Sequence, residues 1–263
     1  MSEEYKKFLK QRKQNKLLII FFQLLILITL ITVWEYLAQK EIINTFIYSS
    51  PSKILKTIIN LHQTNNLYKH IWITVYETLI SFSLGTIIGI IIATILWYSK
   101  TLYKILDPYL TIINSLPKVS LGPIIIIIFG ANIKSIIIMA LLISVIITII
   151  NVYNGFNETD INKINLLRSF NASKAQIYKY LVLPNSYWAI ISCLKINISM
   201  SLIGVIMGEL LVSKNGIGYL IMYGSQVFNM DLVMMGVIVL AIISFVMYEV
   251  VNIIEKNIKR KRN

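Results

Sequence analysis

Six apolar runs, each about as long as a membrane-spanning helix, constrain the fold of this chain more than any other feature. A helix needs about 20 mostly apolar residues to cross the hydrocarbon core of a bilayer. Only 14% of the residues are charged, whereas soluble domains carry about 25%. The sequence therefore predicts an all-α integral membrane protein with six transmembrane helices, over residues 17–38, 73–98, 107–129, 134–152, 187–212 and 232–254.

The first apolar run follows a basic segment, as the core of a secretory signal peptide would. A signal-peptide core is about 7–15 residues long and precedes a small-residue cleavage site. This run is longer and ends beside the aromatic residues Trp34 and Tyr36. We therefore interpret it as an uncleaved first span.

The third run is the least regular because it contains three prolines and a lysine, Pro108, Pro117, Pro123 and Lys118. Proline lacks a backbone N–H and bends helices, which membrane proteins tolerate where neighbours satisfy the freed groups. We expect the prolines to interrupt the run, giving a short helix, a bend near Pro117 and then the span.

The distribution of Lys and Arg predicts that both termini are cytoplasmic. With the N-terminus inside, 17 basic residues flank the cytoplasmic ends of the spans and 6 flank the outer ends, as the positive-inside rule requires. The net charge of +13 lies beside apolar runs. We interpret it as a topology signal and as contact with anionic membrane lipid, and we expect no nucleic-acid binding.

The remaining segments complete one integral domain. Residues 51–63 have apolar positions at helical spacing behind Pro51, which predicts a short amphipathic helix on the outer surface. We expect residues 1–69 to form an N-terminal cytoplasmic tail, the first span and this outer segment. Residues 70–255 form the membrane core, and residues 256–263 form a basic cytoplasmic tail.

A polar, basic loop between the fourth and fifth runs is predicted to form two short helices. Asp160 is a suitable cap for a helix over 161–170, and Asn171 is suited to the left-handed conformation that ends helices. Ser173 could cap a second helix that runs to about Val182 and ends at Pro184.

One apolar ridge on this loop, Ile164, Leu167 and Phe170, favours insertion into a groove of a partner protein, with a polar rim of Arg168, Lys174 and Lys179. An amphipathic segment lying on the inner leaflet is the alternative.

Four charged residues lie within the apolar runs: Glu77, Lys118, Lys195 and Glu209. Charges inside a membrane are costly and often mark a substrate pathway, but an interfacial or inter-helix hydrogen bond is the explanation that we favour. Both explanations stay open for Glu77 and Glu209. Lys195 could extend to the inner interface. Our candidates for neighbours of a translocation path are Glu77, Lys118, Met200, Gly204 and Glu209.

Small residues in the spans suggest packing positions. Gly85 with Gly89, and Gly204 with Gly208, have the small-x3-small spacing that permits close helix approach. We expect them to pack within one subunit, with a dimer contact as the alternative. Cys193 is the only cysteine and lies in an apolar run, which predicts a buried thiol.

Enzymatic chemistry has no candidate residues in this sequence. It contains no Walker A, G-x-S-x-G or H-E-x-x-H motif, and His62 and His70 have no third metal ligand nearby. We expect neither a metal site nor a cofactor in this chain, so the energy for any transport must come from another chain.

The loop and several other segments together resemble a known family. The loop has the length of the pattern E-A-A-x3-G-x9-I-x-L-P, with Asn165-Leu166-Leu167, then Asn171, and then Leu181, Leu183 and Pro184 at the patterned positions. Further matching segments are Ser50 to Leu55, Leu106 to Pro108, Leu116 to Gly130, Gly208 to Leu210 and Gly216 to Ile221. In these segments the chain resembles permease subunits of ABC importers, in the nitrate, sulfonate and taurine branch.

This resemblance implies the six-helix, MetI-like fold of type I importers in a prokaryotic plasma membrane. It also implies a homodimer, two cytoplasmic ATPase subunits that bind ATP and Mg, and an extracytoplasmic solute-binding protein. The ATPase contact would be made by the loop residues Asn165, Leu166, Leu167, Arg168, Phe170, Asn171, Ala172, Ser173, Lys174, Leu181, Leu183 and Pro184.

The transported solute stays open at this point. The resemblance suggests a small sulfonate, taurine or nitrate, but Glu77 stands where sulfonate permeases often have Arg. A thiamine-precursor pyrimidine or a riboflavin-like compound is therefore the alternative solute. An ion-coupled secondary transporter is a more distant alternative, since such proteins tend to show inverted repeats with broken helices in both halves.

Overall fold

The protein is all-helical in its computed structural model, which describes residues 3–64 and 66–262, and the side chains of residues 10–64 and 66–258. The basic side chains at 259–262 and the lysines before residue 10 lie outside this part. The helices are α1 (Glu3–Gln39), α2 (Thr45–Tyr48), α3 (Pro51–Gln63), α4 (Asn66–Tyr98), α5 (Lys100–Ser115), α6 (Gly122–Phe129), α7 (Ile133–Asn157), α8 (Ile161–Ser169), α9 (Lys174–Ile177), α10 (Leu183–Asn185), α11 (Tyr187–Val212), α12 (Ile217–Gln226) and α13 (Met230–Arg262).

Five of these helices are long and apolar enough to cross a membrane, and they correspond to five of the six predicted spans. They are α1, α4, α7, α11 and α13. The fifth predicted span, 187–212, matches α11 residue for residue, and the others extend by several residues beyond the apolar runs.

The third predicted span is a bent pair of helices. The chain turns by 91° between α5 and the segment 118–129, so the bend expected near Pro117 is confirmed. The prediction is wrong in two respects: Pro108 and Pro123 do not interrupt a helix, and the helix before the bend is not short. Pro108 lies inside α5 without breaking it, and Pro123 sits in the first turn of α6, where a missing N–H costs nothing. The helix before the bend has 16 residues and is the longer of the two.

Helix pairing shows that this bent pair crosses the bundle. Gly85 of α4 approaches Ser144 of α7, and Gly89 approaches Thr148. Residue numbers therefore increase in the same direction along both helices, which run parallel. A chain that leaves one end of α4 must return to the other end before a parallel neighbour can begin. Residues 99–132 make that return, so the bent pair is the sixth candidate span in the part of the chain that the structure describes.

Glycines allow the central helices to approach one another closely. A Cβ at Gly89 would lie 2.5 Å from Thr148 Cβ, and one at Gly208 would lie 2.9 Å from the Cα of Ile136. Gly204 faces the backbone of Ala140 with no room for a methyl group. Both predicted glycine pairs thus pack within one subunit, where they bring α7 against α4 and α11.

One end of the bundle, where α4 and α7 finish and α11 begins, is called the loop end. The other end is called the opposite end. At the opposite end, α3 forms as predicted, with the Ser50 hydroxyl accepting from Lys53 N at 3.3 Å. Ser49 donates to Asp231 at 2.6 Å, and Ser52 N donates to Glu35 at 3.0 Å. These bonds hold α3 against α13 and α1, while the side chains of α1 from residue 10 to 33 stay exposed.

Candidate functional site

The first helix of the loop begins and ends as the sequence predicts. Asp160 Oδ1 accepts from Asn162 N at 2.8 Å and caps α8. Asn171 is left-handed, with φ of 58°. The Asn171 N–H donates to Arg168 O at 2.9 Å and the Ala172 N–H to Leu167 O at 3.0 Å. This pair of bonds is a Schellman motif, which fixes the turn between the two helices.

The second helix begins as predicted but does not end at Pro184. Ser173 and Gln176 form a reciprocal capping box, with bonds of 3.3 and 2.7 Å. A π-helical turn over Tyr178–Val182 follows, and Pro184 lies inside the next turn, α10. The wider turn accommodates the proline ring and its missing N–H, which an α-helix would not. The chain changes direction only at Ser186, whose hydroxyl donates to Gly155 O at 2.7 Å.

Two side chains fasten the loop to the bundle. Lys174 Nζ donates to Tyr98 O, the last carbonyl of α4, at 2.6 Å. The Tyr178 hydroxyl lies 2.8 Å from that of Thr94, which itself donates to Ile90 O, so Tyr178 is the donor. Burial raises the pKa of Tyr178 above its ordinary value, so the phenol keeps its proton. The loop is therefore anchored and not a free segment.

The predicted apolar ridge divides between two faces. The core cluster at the loop end of the bundle consists of Ala93, Leu96, Ile149, Val152, Tyr153, Phe156, Ile177, Val182 and Cys193. Ile164 and Leu167 pack against this cluster, so the prediction that they share an exposed ridge with Phe170 is wrong. The three most exposed apolar side chains of the loop are Phe170 (74% exposed), Tyr180 (68%) and Leu166 (56%). Ile164 and Leu167 are partly buried because they lie on the side of α8 that faces this cluster.

A concavity of about 260 Å³ lies on the exposed face of the loop, lined by Leu167, Phe170, Asn171, Ala172, Gln176 and Tyr180. Of the predicted basic rim, Lys179 lies over the Tyr180 ring at 5.5 Å, whereas Lys174 turns inward as described above. The exposed face of the loop therefore offers a partner protein both an apolar concavity and exposed aromatic side chains on a rigid turn.

The other loop residues support this arrangement. Asn165 Oδ1 accepts from Arg168 at 3.4 Å, and Leu181 packs against the core cluster. Leu183 and Pro184 are exposed at the end of the second helix. The twelve predicted loop residues thus form one continuous structure.

Two of the five predicted translocation-path residues meet at the opposite end, inside the bundle. Glu209 is 1% exposed and Glu77 is 2% exposed. Glu209 accepts from Thr74 Oγ1 at 2.6 Å and from Gly218 N at 2.6 Å. Thr74 in turn accepts from Ile217 N at 2.9 Å. These bonds join α4, α11 and the start of α12.

His70 completes this cluster. Its Nδ1 accepts from Gly216 N at 2.9 Å, and its ring stacks on Tyr219 at 5.9 Å between centroids. Gly216 has φ of +101°, and a Cβ there would overlap the Glu209 carboxylate. Sequence reasoning missed the roles of His70 and Thr74, because their partners lie more than 130 residues away along the chain.

Glu77 adjoins this cluster of hydrogen-bonded side chains. Glu77 lies beside Glu209 and interacts with it, while Glu77 Oε2 has no hydrogen-bond partner among the described residues. Glu77 also lines a cavity of about 310 Å³, together with Asn132, Ser213 and Lys214. A role in packing is therefore clear for Glu209, and Glu77 stays a candidate path residue.

The other predicted path residues lie elsewhere. Lys118 bends back at the kink to donate to Asn114 O, Gly204 packs on α7, and Met200 is half-buried on α11. Lys195 pairs with Glu255 of α13, one residue beyond the predicted sixth span, and its extension to the inner interface stays a prediction. The structure therefore does not gather the five residues along one surface.

Comparison with known proteins identifies the family. Residues 85–262, more than half of the chain, match the family described as binding-protein-dependent transport system inner membrane component. The chain belongs to this family. It is a permease of the ABC importers, and its helices and exposed loop are the parts of such a subunit.

Two curated relatives and one solved structure agree. A putative aliphatic sulfonates transport permease of Bacillus subtilis is 25% identical over 91% of this chain and 87% of its own length. A formylaminopyrimidine transport permease of Halalkalibacterium halodurans is 24% identical over 74% and 77%. An inward-facing MetNI methionine ABC transporter chain superposes with a TM-score of 0.64 at 18% identity, covering 74% of this chain and 97% of its own.

These relatives are transport permeases by name and not enzymes, and this permease is likewise a non-enzymatic membrane subunit. The structural match shows the MetI-like fold. The core of α4, α7 and α11 and the bent pair α5 and α6 are therefore the scaffold of a type I permease.

Proposed function

We propose that the permease couples to a cytoplasmic ATPase through residues 165–184 and forms the path for a small solute. The observation that supports the coupling role most strongly is the anchored loop with Leu166, Phe170 and Tyr180 exposed on it. Large apolar side chains held on a rigid turn suit insertion into a partner's groove.

The energy for transport comes from ATP and Mg bound to the ATPase. When the ATPase closes, it moves the loops of two permease subunits relative to each other. Because the loop is bonded to α4 through Lys174 and to α7 through Ser186, its displacement carries those helices with it. Such rigid-body switching between two packings is a common route from one transporter state to the other.

The proposal places the loop end and both termini in the cytoplasm. A solute-binding protein then delivers its ligand to the opposite end, where α3 and the start of α12 lie. We propose a homodimer of this subunit, which provides two loops for two ATPase subunits.

We propose a small sulfonate-like solute, such as a sulfonate, taurine or nitrate, on the strength of the likeness to a sulfonate permease. A pyrimidine precursor of thiamine is the second candidate. It is favoured by the formylaminopyrimidine permease among the relatives and by the acidic Glu77 beside the cavity at the opposite end.

The coupling role is tested by co-purification with the cognate ATPase. In Phe170→Asp, a charge replaces the most exposed apolar side chain of the loop, and we expect the ATPase retained by the purified chain to fall at least about tenfold. The matched control is Ile161→Asp, also exposed and on α8, but lining a different cavity between the loop and the bundle.

Equal retention of the ATPase by both variants and the unmodified chain would exclude the proposed contact. Loss in both variants would show a general effect on the loop and not a specific contact at Phe170. Size-exclusion profiles in detergent check that each variant is folded.

A further inference from the structure

A second cavity lies at the root of the loop, on the side that faces the bundle. Its volume is about 220 Å³, and it is enclosed by the end of α4, the start of α5, the end of α7 and the two loop helices. It is separate from the concavity that carries Phe170. The proposed contact with the ATPase does not use it, although Lys174, which bonds the loop to α4, is one of its lining residues.

Three basic side chains from three helices converge on this cavity. They are Lys100 at the start of α5, Arg168 near the end of α8, and Lys174 at the start of α9. No carboxylate is among the lining residues. Among the side chains that the structure describes, the ion pair found joins Lys195 to Glu255, so none of the three cations is paired with an acid.

The nearest acidic side chains along the sequence are committed elsewhere. Asp160 accepts from the backbone of α8, and Asp107 bonds to the Tyr103 hydroxyl. Glu158 is exposed and does not line the cavity. Three cations line one cavity that has no carboxylate among its lining residues, so an anionic ligand would stabilise the arrangement.

Neutral groups of the cavity also suit an anion with an apolar remainder. Asn157 and Thr159 provide polar atoms, and α5, a helix of 16 residues, begins at Lys100 with its backbone N–H groups directed towards this end. Trp97 and Ile164 provide an apolar wall. Trp97 and Tyr98 end the apolar length of α4, which is the level at which aromatic residues meet lipid headgroups.

We propose that this cavity binds the phosphate of an anionic lipid headgroup. Basic pockets between transmembrane helices are suited to such headgroups. The lipid would bridge α5 to both loop helices and thereby hold the loop in the position that its two anchoring bonds set. A free phosphate ion has the same charged chemistry, and an acidic side chain of the ATPase is a different partner. The position of the cavity beside Trp97 favours the lipid.

The test measures lipid retention by native mass spectrometry. The full-length chain is held in detergent micelles with phosphatidylcholine and titrated with phosphatidylglycerol. We expect Lys100→Gln to weaken retention of phosphatidylglycerol about fivefold, the effect of removing one cation near a headgroup. Lys100→Arg keeps the charge and is expected to retain the lipid.

Lys104→Gln is the matched control, because it removes the same charge one turn further along α5, away from the cavity. Separate titrations with inorganic phosphate distinguish the source of the anion. The proposal is overturned if Lys100→Gln and Lys104→Gln retain the lipid equally, or if inorganic phosphate binds with the dependence on Lys100 and phosphatidylglycerol does not. It is also overturned if the dependence on Lys100 appears only when the ATPase is present.

Discussion

At the scale of single residues, the buried side chains of Thr74 and His70 bond to partners that are distant in sequence. Thr74 donates to Glu209 and accepts from Ile217 N, so one hydroxyl joins α4, α11 and α12. Hydropathy draws attention to Glu209 because a charge in a span is rare, but nothing local to Thr74 reveals its role. The local signals did suffice for the loop: Asp160, Asn171 and Ser173 cap or turn the chain through atoms within four residues.

Removing the Thr74 hydroxyl should destabilise the protein markedly. In Thr74→Val, both a Glu209 oxygen and the Ile217 N–H lose a buried partner, at about 1–3 kcal/mol for each group. We expect the apparent Tm in detergent to fall by at least about 5 °C. Thr78→Val is the control, since Thr78 is equally buried but donates only to Thr74 O within its own helix. Equal shifts in the two variants would mean that the Thr74 bonds do not hold the helices together.

At the scale of secondary-structure elements, the apolar runs predicted the positions of the spans well, whereas the prolines predicted poorly where helices end. Pro108 is tolerated inside α5, and Pro184 is accommodated by the π-helical turn before it. The effect of a proline depends on the turn that precedes it, which composition does not reveal. The prediction of an exposed apolar ridge on the loop was wrong for a similar reason. The core cluster at the loop end determines which side of α8 is buried.

The contact between α7 and α11 near the loop can be tested by moving one methyl group across it. A Cβ at Gly155 would lie 2.5 Å from the Cβ of Ala189. Gly155→Ala should therefore destabilise the protein by about 1–3 kcal/mol through overpacking. Adding Ala189→Gly restores the space, and we expect the apparent Tm of the double variant to recover most of the loss. If the double variant is no more stable than Gly155→Ala, the helices do not meet at this pair.

At the scale of the whole molecule, the two ends of the bundle are built for different tasks. The opposite end is closed by the buried bonds around Glu209, while the loop end presents exposed apolar side chains on an anchored turn. The number of candidate spans could be predicted from hydropathy, and the parallel packing of α4 and α7 supports counting the bent pair as one of them. The loop that we propose as the ATPase contact could be located by residue range, but which of its side chains are exposed became clear only from the folded loop.

Cross-linking from a single position tests the central claim most directly. The sole cysteine, Cys193, is buried, so a Cys193→Ser background leaves no competing thiol. A photo-reactive maleimide is attached to Phe170→Cys at the loop end or to Phe228→Cys, which is similarly exposed at the opposite end. In membrane vesicles that contain the cognate ATPase, we expect a covalent product with the ATPase from position 170 and none from 228. Cross-links from position 170 to lipid alone, or an ATPase product from position 228, would contradict the account.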